Sequence, residues 1–234
     1  MPKYERILLK LSGEVMAGPA GFGLDGERVA GLARELGEAA ATGVRMGVVV
    51  GGGNFFRGVA AARHMDRVTV DYMGMLATVL NALALGEALE RQGVAARVMT
   101  ALEMRQVAEY YVRQRALRHL AQGRVVILAG GTSNPYFSTD TAATLRALEL
   151  GAQVMGKGTR VDGVYDKDPL KHPDAVLFRE ISYQEVLTRA LGVMDAAAVA
   201  MCRDNQLPVV VFNLNVAGNI MRMSMGEPVG TRIC

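Results

Sequence analysis

A regular alternation of short apolar runs with longer segments of helical spacing constrains the fold of this chain more than any other feature of its sequence. Several of the apolar runs are rich in β-branched residues, and they end at glycine, serine or asparagine, as buried strands do. They predict strands at residues 7–11, 46–50, 95–99, 125–128, 153–155 and 209–212. The segments between them predict helices at residues 25–42, 70–92, 107–122, 139–150 and 183–205. This order indicates a mainly parallel sheet between two layers of helices, with ligands bound beyond the carboxyl ends of the strands.

The length of 234 residues suits one compact α/β domain, and 50% of the residues are hydrophobic. One domain is therefore the default prediction, and a division into two lobes is a refinement of it. The candidate boundary between two lobes lies at residues 167–173, which are rich in lysine, aspartate and proline.

The charge pattern and the cysteines narrow the classes of function. The net charge is only +3 and the basic residues are scattered among acids, so a nucleic-acid duplex is not an expected partner, whereas a small anion is compatible. Two cysteines predict no disulfide framework, and three widely separated histidines predict no metal site. Neither a cleavable signal pattern nor a charge-free apolar stretch of about 20 residues is present, which predicts a cytoplasmic protein outside the membrane.

The predicted helix around residues 73–89 is apolar on nearly every side. Such a helix must be buried on more than one face. It forms either a subunit interface or the central helix of a monomer, and the sequence leaves both alternatives open.

The first predicted strand runs directly into Lys10, Leu11, Ser12 and Gly13. Phosphoryl transfer depends on positioning and charge neutralisation, so a lysine beside small, flexible residues is suited to it. The spacing is not that of a P-loop, and an ordinary turn after an edge lysine is the simpler alternative.

The second predicted strand ends in GGGNFFRG at residues 51–58. Three glycines allow the backbone to approach an anion and to expose its N–H donors, and Arg57 can reach a phosphate with its guanidinium. A plain tight turn is the alternative. Asp71 follows before the apolar helix, either as a stabilising acid at the helix start or as an acceptor for ribose hydroxyls.

A second glycine-containing turn, AGGTSNPYFSTD at residues 129–140, follows the fourth predicted strand. Two such turns at one sheet edge favour a paired phosphate site. Ser138 or Thr139 is alternatively a simple helix cap. Tyr136 and Phe137 are suited either to flanking a base or to filling the core.

Asp140 and Lys157 are the remaining candidates for the chemistry. Asp140 is placed to orient lysines or to help hold magnesium, and Lys157 ends a strand as a second cation. The alternatives are an acid at a helix start and a solvated lysine. The polar loop at residues 159–169 either holds an adenosine or is a surface loop.

Six motifs occur in a fixed order along the chain, and together they are far more specific than any one of them. They are KLSGE (10–14), GGGNFFRG (51–58), DYMGMLAT (71–78), GTSNPYFSTD (131–140), KGTRVDGVY (157–165) and DPLKHP (168–173). In this order the chain resembles the bacterial uridylate kinases of the amino-acid-kinase superfamily over residues 3–233. The resemblance implies an αβα sandwich, a UMP-binding lobe at about residues 1–150 and an ATP-binding lobe at about residues 151–234. It also implies a magnesium-dependent homohexamer that converts UMP and ATP to UDP and ADP in pyrimidine nucleotide synthesis.

The resemblance also assigns site residues by motif. The catalytic positions are Lys10, Arg57, Asp140 and Lys157. The ATP-binding positions are Lys10, Leu11, Ser12, Gly13, Gly53, Arg57, Thr159, Tyr165 and Asp168. The UMP-binding positions are Gly52, Asp71, Thr132, Ser133, Asn134, Pro135, Tyr136, Phe137, Ser138 and Thr139. Activation by GTP, in a family that UTP inhibits, is linked to Gly18, Pro19, Ala20, Gly21, Phe22 and Gly23, where Pro19 and Ala20 depart from a more polar pair.

The predicted mechanism is direct attack of a UMP phosphate oxygen on the γ-phosphorus, without a covalent enzyme intermediate. The acceptor is already anionic at neutral pH, so a strong general base is not required. Two other classes of function are also compatible with these motifs. They are a kinase of the same superfamily that acts on an acyl or carbamoyl substrate, and a uridine-nucleotide sensor without turnover.

Overall fold

The structure, a computed structural model, describes residues 2–56 and 65–234. Within these residues one sheet contains the strands β1 (Arg6–Leu11), β2 (Arg45–Val50), β3 (Ala96–Thr100), β4 (Glu109–Tyr110), β5 (Val125–Ala129), β6 (Val154–Thr159), β7 (Glu180–Ile181), β8 (Val209–Asn213) and β9 (Thr231–Ile233). The helices are α1 (Gly26–Ala41), α2 (Arg67–Arg91), α3 (Arg113–Ala121), α4 (Thr139–Leu150), α5 (Tyr183–Thr188), α6 (Ala196–Asp204) and α7 (Asn219–Met225).

The strand order is β4-β3-β5-β2-β1-β6-β8-β9-β7, and every neighbouring pair is parallel except β8 and β9. Strand β1 therefore lies in the middle of the sheet, between β2 and β6. Since parallel strands carry their carboxyl ends to the same edge, the segments that follow β1, β2, β5 and β6 meet there.

Two apolar clusters cover the two faces of the sheet. One cluster packs helices α1, α2 and α7 against one face, and the other packs α3, α4, α5 and α6 against the opposite face. Alternate residues of β1 divide between them, because Leu9 lies in the first cluster and Leu8 in the second. By the same alternation, Lys10 points to the side of α4. The predicted three-layer αβα sandwich is confirmed.

Two predicted helices are wrong in part. The helix predicted at 107–122 begins only at Arg113, because residues 109 and 110 pair with Met99 and Thr100 of β3 as an edge strand. The helix predicted at 183–205 is two helices, since Ala190 has a left-handed φ of 49° and Asp195 caps a new helix by accepting the Ala198 N–H. The short strands β4, β7 and β9 were not predicted, because each depends on its neighbours in the sheet.

Helix α2 is long and apolar enough, by length and composition, to cross a membrane, and 44% of its most apolar window is buried in this single chain. Its inner face packs on α1, β3 and β5, so we interpret it as a core helix. Its outer face is a stripe of four exposed apolar side chains, Tyr72, Met73, Leu76 and Leu80, of which Leu80 is 50% exposed.

Candidate active site

Three charged side chains meet at the carboxyl edge of the sheet. Lys10 and Lys157 are directly opposite each other in the paired strands β1 and β6. Asp140, in the first turn of α4, lies between them. Its Oδ1 is 2.9 Å from Lys10 Nζ and its Oδ2 is 2.5 Å from Lys157 Nζ. Sheet register and one helix start thus bring together three of the predicted catalytic residues.

Burial sets the electrostatics of this cluster. Burial alone would raise the pKa of the Asp140 carboxyl, but the two adjacent ammonium groups outweigh burial and the pKa lies below its ordinary value. Burial lowers the pKa of Lys157, with a smaller effect in the same direction from Lys10, and Asp140 offsets only part of this. Asp140 is therefore ionised at neutral pH, and Lys157 holds its proton less firmly than a solvated lysine does.

The start of α4 is fixed by hydrogen bonds that also reach the residue capping α6. Ser138 Oγ accepts the N–H groups of Asp140 and Thr141 at 3.0 and 3.1 Å, so its alternative interpretation as a helix cap is confirmed. The Ser138 hydroxyl also donates to Asp195, to which Thr141 Oγ1 donates at 2.8 Å. Lys157 Nζ donates to the carbonyl of Val193. The sequence interpretation missed Asp195, which ties α4 to α6.

The turns after β1 and β2 lie side by side, since Leu11 pairs with Val50 and the Gly51 N–H donates to the Leu11 carbonyl at 2.9 Å. A Cβ at Gly13 would lie 2.5 Å from the Gly51 carbonyl oxygen. In the described part of the chain, the N–H groups of Gly52 and Gly53 have no hydrogen-bond acceptor. These donors are suited to an anion. Arg57, predicted beside them, lies outside the described residues.

A cavity of about 330 Å³ opens next to this glycine turn. The predicted site residues that line it are Gly52, Gly53, Asp71, Phe137, Ser138 and Thr139. Gly53, predicted on the ATP side, therefore faces the cavity that is lined by five of the ten predicted UMP positions, Gly52, Asp71, Phe137, Ser138 and Thr139. Arg67, Thr78 and Gly131 also line it and were missed by the sequence interpretation.

Asp71 anchors the predicted UMP loop to α2. Its Oδ2 accepts the Tyr136 N–H at 2.7 Å, and both of its carboxylate oxygens lie 2.9 Å from Arg67 Nε. The Arg67 guanidinium lies 5.5 Å from the centre of the Tyr136 ring. Since Arg67 and Asp71 are four residues apart on one helix, their spacing was a signal that sequence reasoning could have used.

The turn at residues 132–136 borders this cavity without lining it. Ser133 and Tyr136 have left-handed φ angles of 64° and 72°, and the Thr132 hydroxyl donates to the Asn134 carbonyl at 3.1 Å. Tyr136 and Phe137 are 68% and 54% exposed, so their alternative interpretation as core residues is wrong. Exposed rings beside a cavity are available to a flat ligand.

A second cavity of about 600 Å³ adjoins the charged cluster, since Lys157 lines it. Thr159, Tyr165 and Asp168, the predicted adenosine-binding residues, line it together. Residues 189–193 also line this cavity. Lys157 lines this cavity, and Ser138 and Thr139, which directly precede Asp140, line the first, so the Lys10–Asp140–Lys157 cluster adjoins both.

Comparisons with known proteins show the family to which this fold belongs. The family model described as "Amino acid kinase family" matches residues 5–213. The chain belongs to the amino acid kinase family. It is similar to the UMP kinase of Bacillus anthracis, with 37% identity and a TM-score of 0.94 over 100% of this chain and 96% of that one. It is also similar to the UMP kinase of Ureaplasma parvum, with 32% identity and a TM-score of 0.92 over 99% of both chains. The uridylate kinase of Archaeoglobus fulgidus is 29% identical, with a TM-score of 0.74 over 100% of both chains.

Two further groups of predicted residues have defined positions in this kinase fold. The Leu11 side chain is fully buried, so a contact with ATP could be made only through its backbone. The segment 18–23 lies against the glycine turn, because the Gly23 N–H donates to the Asn54 carbonyl at 3.0 Å. Phe22 and Phe55 meet edge to face, with ring centres 6.1 Å apart.

Proposed function

We propose that this kinase transfers the γ-phosphoryl group of ATP to UMP, giving UDP and ADP for pyrimidine nucleotide synthesis. The observation that carries the proposal is the largely buried Lys10–Asp140–Lys157 cluster, which adjoins two cavities. Thr159, Tyr165 and Asp168, assigned to adenosine, line the larger cavity, and five of the ten residues assigned to UMP line the smaller one. Full-length similarity to UMP kinases supports this choice of substrates.

In the proposed mechanism, a UMP phosphate oxygen attacks the γ-phosphorus in line. Lys10 and Lys157 neutralise the charge that develops on the moving group, and the Gly52 and Gly53 N–H groups bind phosphate oxygens. Asp140 holds both lysines and takes no proton, because its pKa lies below the ordinary value. Arg57 is proposed as a further phosphate ligand on the strength of its motif.

Magnesium would enter with ATP and supply additional charge neutralisation. The described residues contain no group of three or more histidine, cysteine, aspartate or glutamate side chains placed for a metal ion. Asp140 is already engaged by two lysines. The phosphate oxygens of ATP are therefore the proposed principal ligands, as is usual for Mg²⁺ in kinases.

We propose a cytoplasmic homohexamer in which the exposed stripe of α2 packs against a second copy. Four apolar side chains on one helix face, Tyr72, Met73, Leu76 and Leu80, are suited to such an interface. GTP activation through segment 18–23 and UTP inhibition also remain proposals, as does the division into lobes at residues 1–150 and 151–234.

Two other functions are weaker candidates. A kinase for an acyl or carbamoyl substrate would share the glycine turns, but it would not need the cavity that Asp71 and the 132–139 turn border. A uridine-nucleotide sensor would not need a buried pair of lysines held on one carboxylate, which is costly to bury.

The proposed function is tested by coupled measurement of ADP release with Mg-ATP and one acceptor at a time. The acceptors are UMP, CMP, dUMP, AMP, acetylglutamate and aspartate. We expect turnover chiefly with UMP. Turnover confined to acetylglutamate or aspartate, or tight UMP binding without any ADP release, would contradict the proposal and favour one of the two other candidates.

The fall of kcat at high pH, the basic limb of its pH profile, should reflect deprotonation of Lys157. Its pKa lies below the ordinary 10.5, so it loses its proton, and kcat falls, at a lower pH than a solvated lysine would dictate. In the Lys157→Arg variant the guanidinium stays protonated, so this limb should move to higher pH even if the maximal rate is reduced. The check is kcat measured from about pH 6 to about pH 10 for both proteins. An identical basic limb in the two would contradict the role of Lys157.

A further inference from the structure

We infer that Asn54 and Asn81 act as positioning residues that aim the backbone N–H groups of the glycine turn at the phosphates. The inference rests on the proposed function in one respect, namely that the N–H groups of this turn bind substrate phosphates, Gly52 on the UMP side and Gly53 on the ATP side. Neither asparagine lines the two cavities, so neither is expected to touch a substrate.

The two side chains form a closed pair in the core. Asn54 is 1% exposed and Asn81 is fully buried. Asn54 Nδ2 donates to Asn81 Oδ1 at 2.9 Å, and Asn81 Nδ2 donates back to Asn54 Oδ1 at 2.7 Å. The second hydrogen of Asn81 goes to the Gly51 carbonyl at 2.6 Å, and that of Asn54 goes to the Gly23 carbonyl at 2.7 Å. All four amide hydrogens are used, so reversing either amide would place oxygen against oxygen.

The bond from Asn81 to Gly51 determines where the glycine turn points its donors. In a trans peptide the carbonyl of one residue and the N–H of the next point in opposite directions. Because the Gly51 carbonyl faces Asn81 in the core, the Gly52 N–H must face away from it. Within the described residues this N–H and that of Gly53 have no acceptor of their own. They are left available for an anionic ligand.

The same pair also supports the turn that follows β1. A Cβ added at Gly13 would lie 2.5 Å from Asn54 Oδ1 and 2.9 Å from Asn81 Nδ2, so the backbone there rests directly on the two amides. Both phosphate-facing turns therefore share one buried support. Segment 18–23 is attached to it as well, through Gly23.

The primary test is the Asn81→Leu variant, which keeps a similar volume and removes both donations. We expect kcat for UMP to fall about 100-fold, the size of effect found when an anion-binding donor is lost. ATP binding should weaken more than about 10-fold while AMP binding changes less than about twofold, because AMP lacks the outer phosphates that the Gly53 N–H is proposed to bind. Equal weakening of ATP and AMP, or values within twofold of wild type for both, would overturn the inference.

A double variant separates positioning from stability. Replacing both asparagines by leucine removes two polar partners at once, which can restore stability. We expect this protein to unfold at a higher temperature than Asn81→Leu without regaining ATP affinity; recovery of both would overturn the inference. Ser224→Ala, which removes a buried hydroxyl bonded to the Ile220 carbonyl in α7, is the control and should lose stability only.

The comparison of ATP with AMP does not require an acceptor substrate. If the wild-type protein binds ATP more tightly than AMP but does not phosphorylate UMP, the proposed function fails while the inference can still be judged. If Asn81→Leu then abolishes the preference for ATP, the inference stands on its own.

Discussion

Replacing Lys10 by methionine is expected to lower kcat for UMP phosphorylation by at least about 10³-fold, the loss expected for a charge that acts on the transition state. The Lys10 ammonium is held 2.9 Å from Asp140 Oδ1 at the end of the central strand. Methionine fills a similar volume without the charge. UMP binding should change less than about threefold, because Lys10 does not line the cavity assigned to UMP.

The measurement is steady-state kinetics together with direct titration of UMP into each protein. Lys3→Met is a matched control, since Lys3 is an exposed lysine near the start of the chain, and it should leave kcat unchanged. A parallel loss of turnover and UMP affinity in Lys10→Met would show that Lys10 serves binding and would contradict its assignment to transfer.

The Asp140→Asn variant is expected to lower kcat by about 100-fold and to destabilise the fold by about 3 kcal/mol, the usual cost of breaking a buried ion pair. It leaves Lys10 and Lys157 opposite each other with no carboxylate between them. Both effects come from the same event, because the two ammonium groups repel each other and neither is held in place.

The pH dependence of this destabilisation follows from the two lowered pKa values. The carboxylate of Asp140 stabilises the wild-type fold fully above its ordinary pKa of 3.8, and this contribution is lost as pH falls below that value. As pH rises, Lys157 loses its proton at a pH lower than the ordinary 10.5, and this relieves the repulsion in the variant. The difference in unfolding free energy should therefore be largest near neutral pH and shrink as pH rises toward the lowered pKa of Lys157.

Urea unfolding of both proteins at neutral pH and at a basic pH measures this difference directly. Asp166→Asn, which changes an exposed loop carboxylate, is the control for loss of one negative charge. A constant difference across the basic range would mean that Lys157 is not responsible for it.

Much of the site could be predicted because its residues follow strand ends. Glycine turns and a lysine after apolar runs are visible in sequence, and parallel strands necessarily bring them to one edge. The contact of Lys10 with Lys157 through Asp140 was a weaker prediction. It requires that β1 and β6, which are about 140 residues apart in the sequence, lie side by side in the sheet. It also requires the pairing register that puts Lys10 opposite Lys157.

Several of the missed residues lie on helices or cap them, and their partners are not visible in the sequence. Asn81 is a single amide in an apolar helix, and Asp195 caps α6 while accepting from α4. A polar residue within an apolar stretch is a usable signal, since buried polar groups must find partners. The partners themselves, Gly51 and Thr141, are fixed only by the tertiary structure.

The most direct test of the central claim uses ATP that carries radioactive phosphorus in its γ position. The protein is incubated with this ATP, Mg²⁺ and UMP, and the products are separated by chromatography. We predict that the label appears in the β-phosphate of UDP, with one UDP for each ADP and no label on the protein. Label that stays on the protein, or that passes to inorganic phosphate while UMP remains unchanged, would contradict direct transfer to UMP.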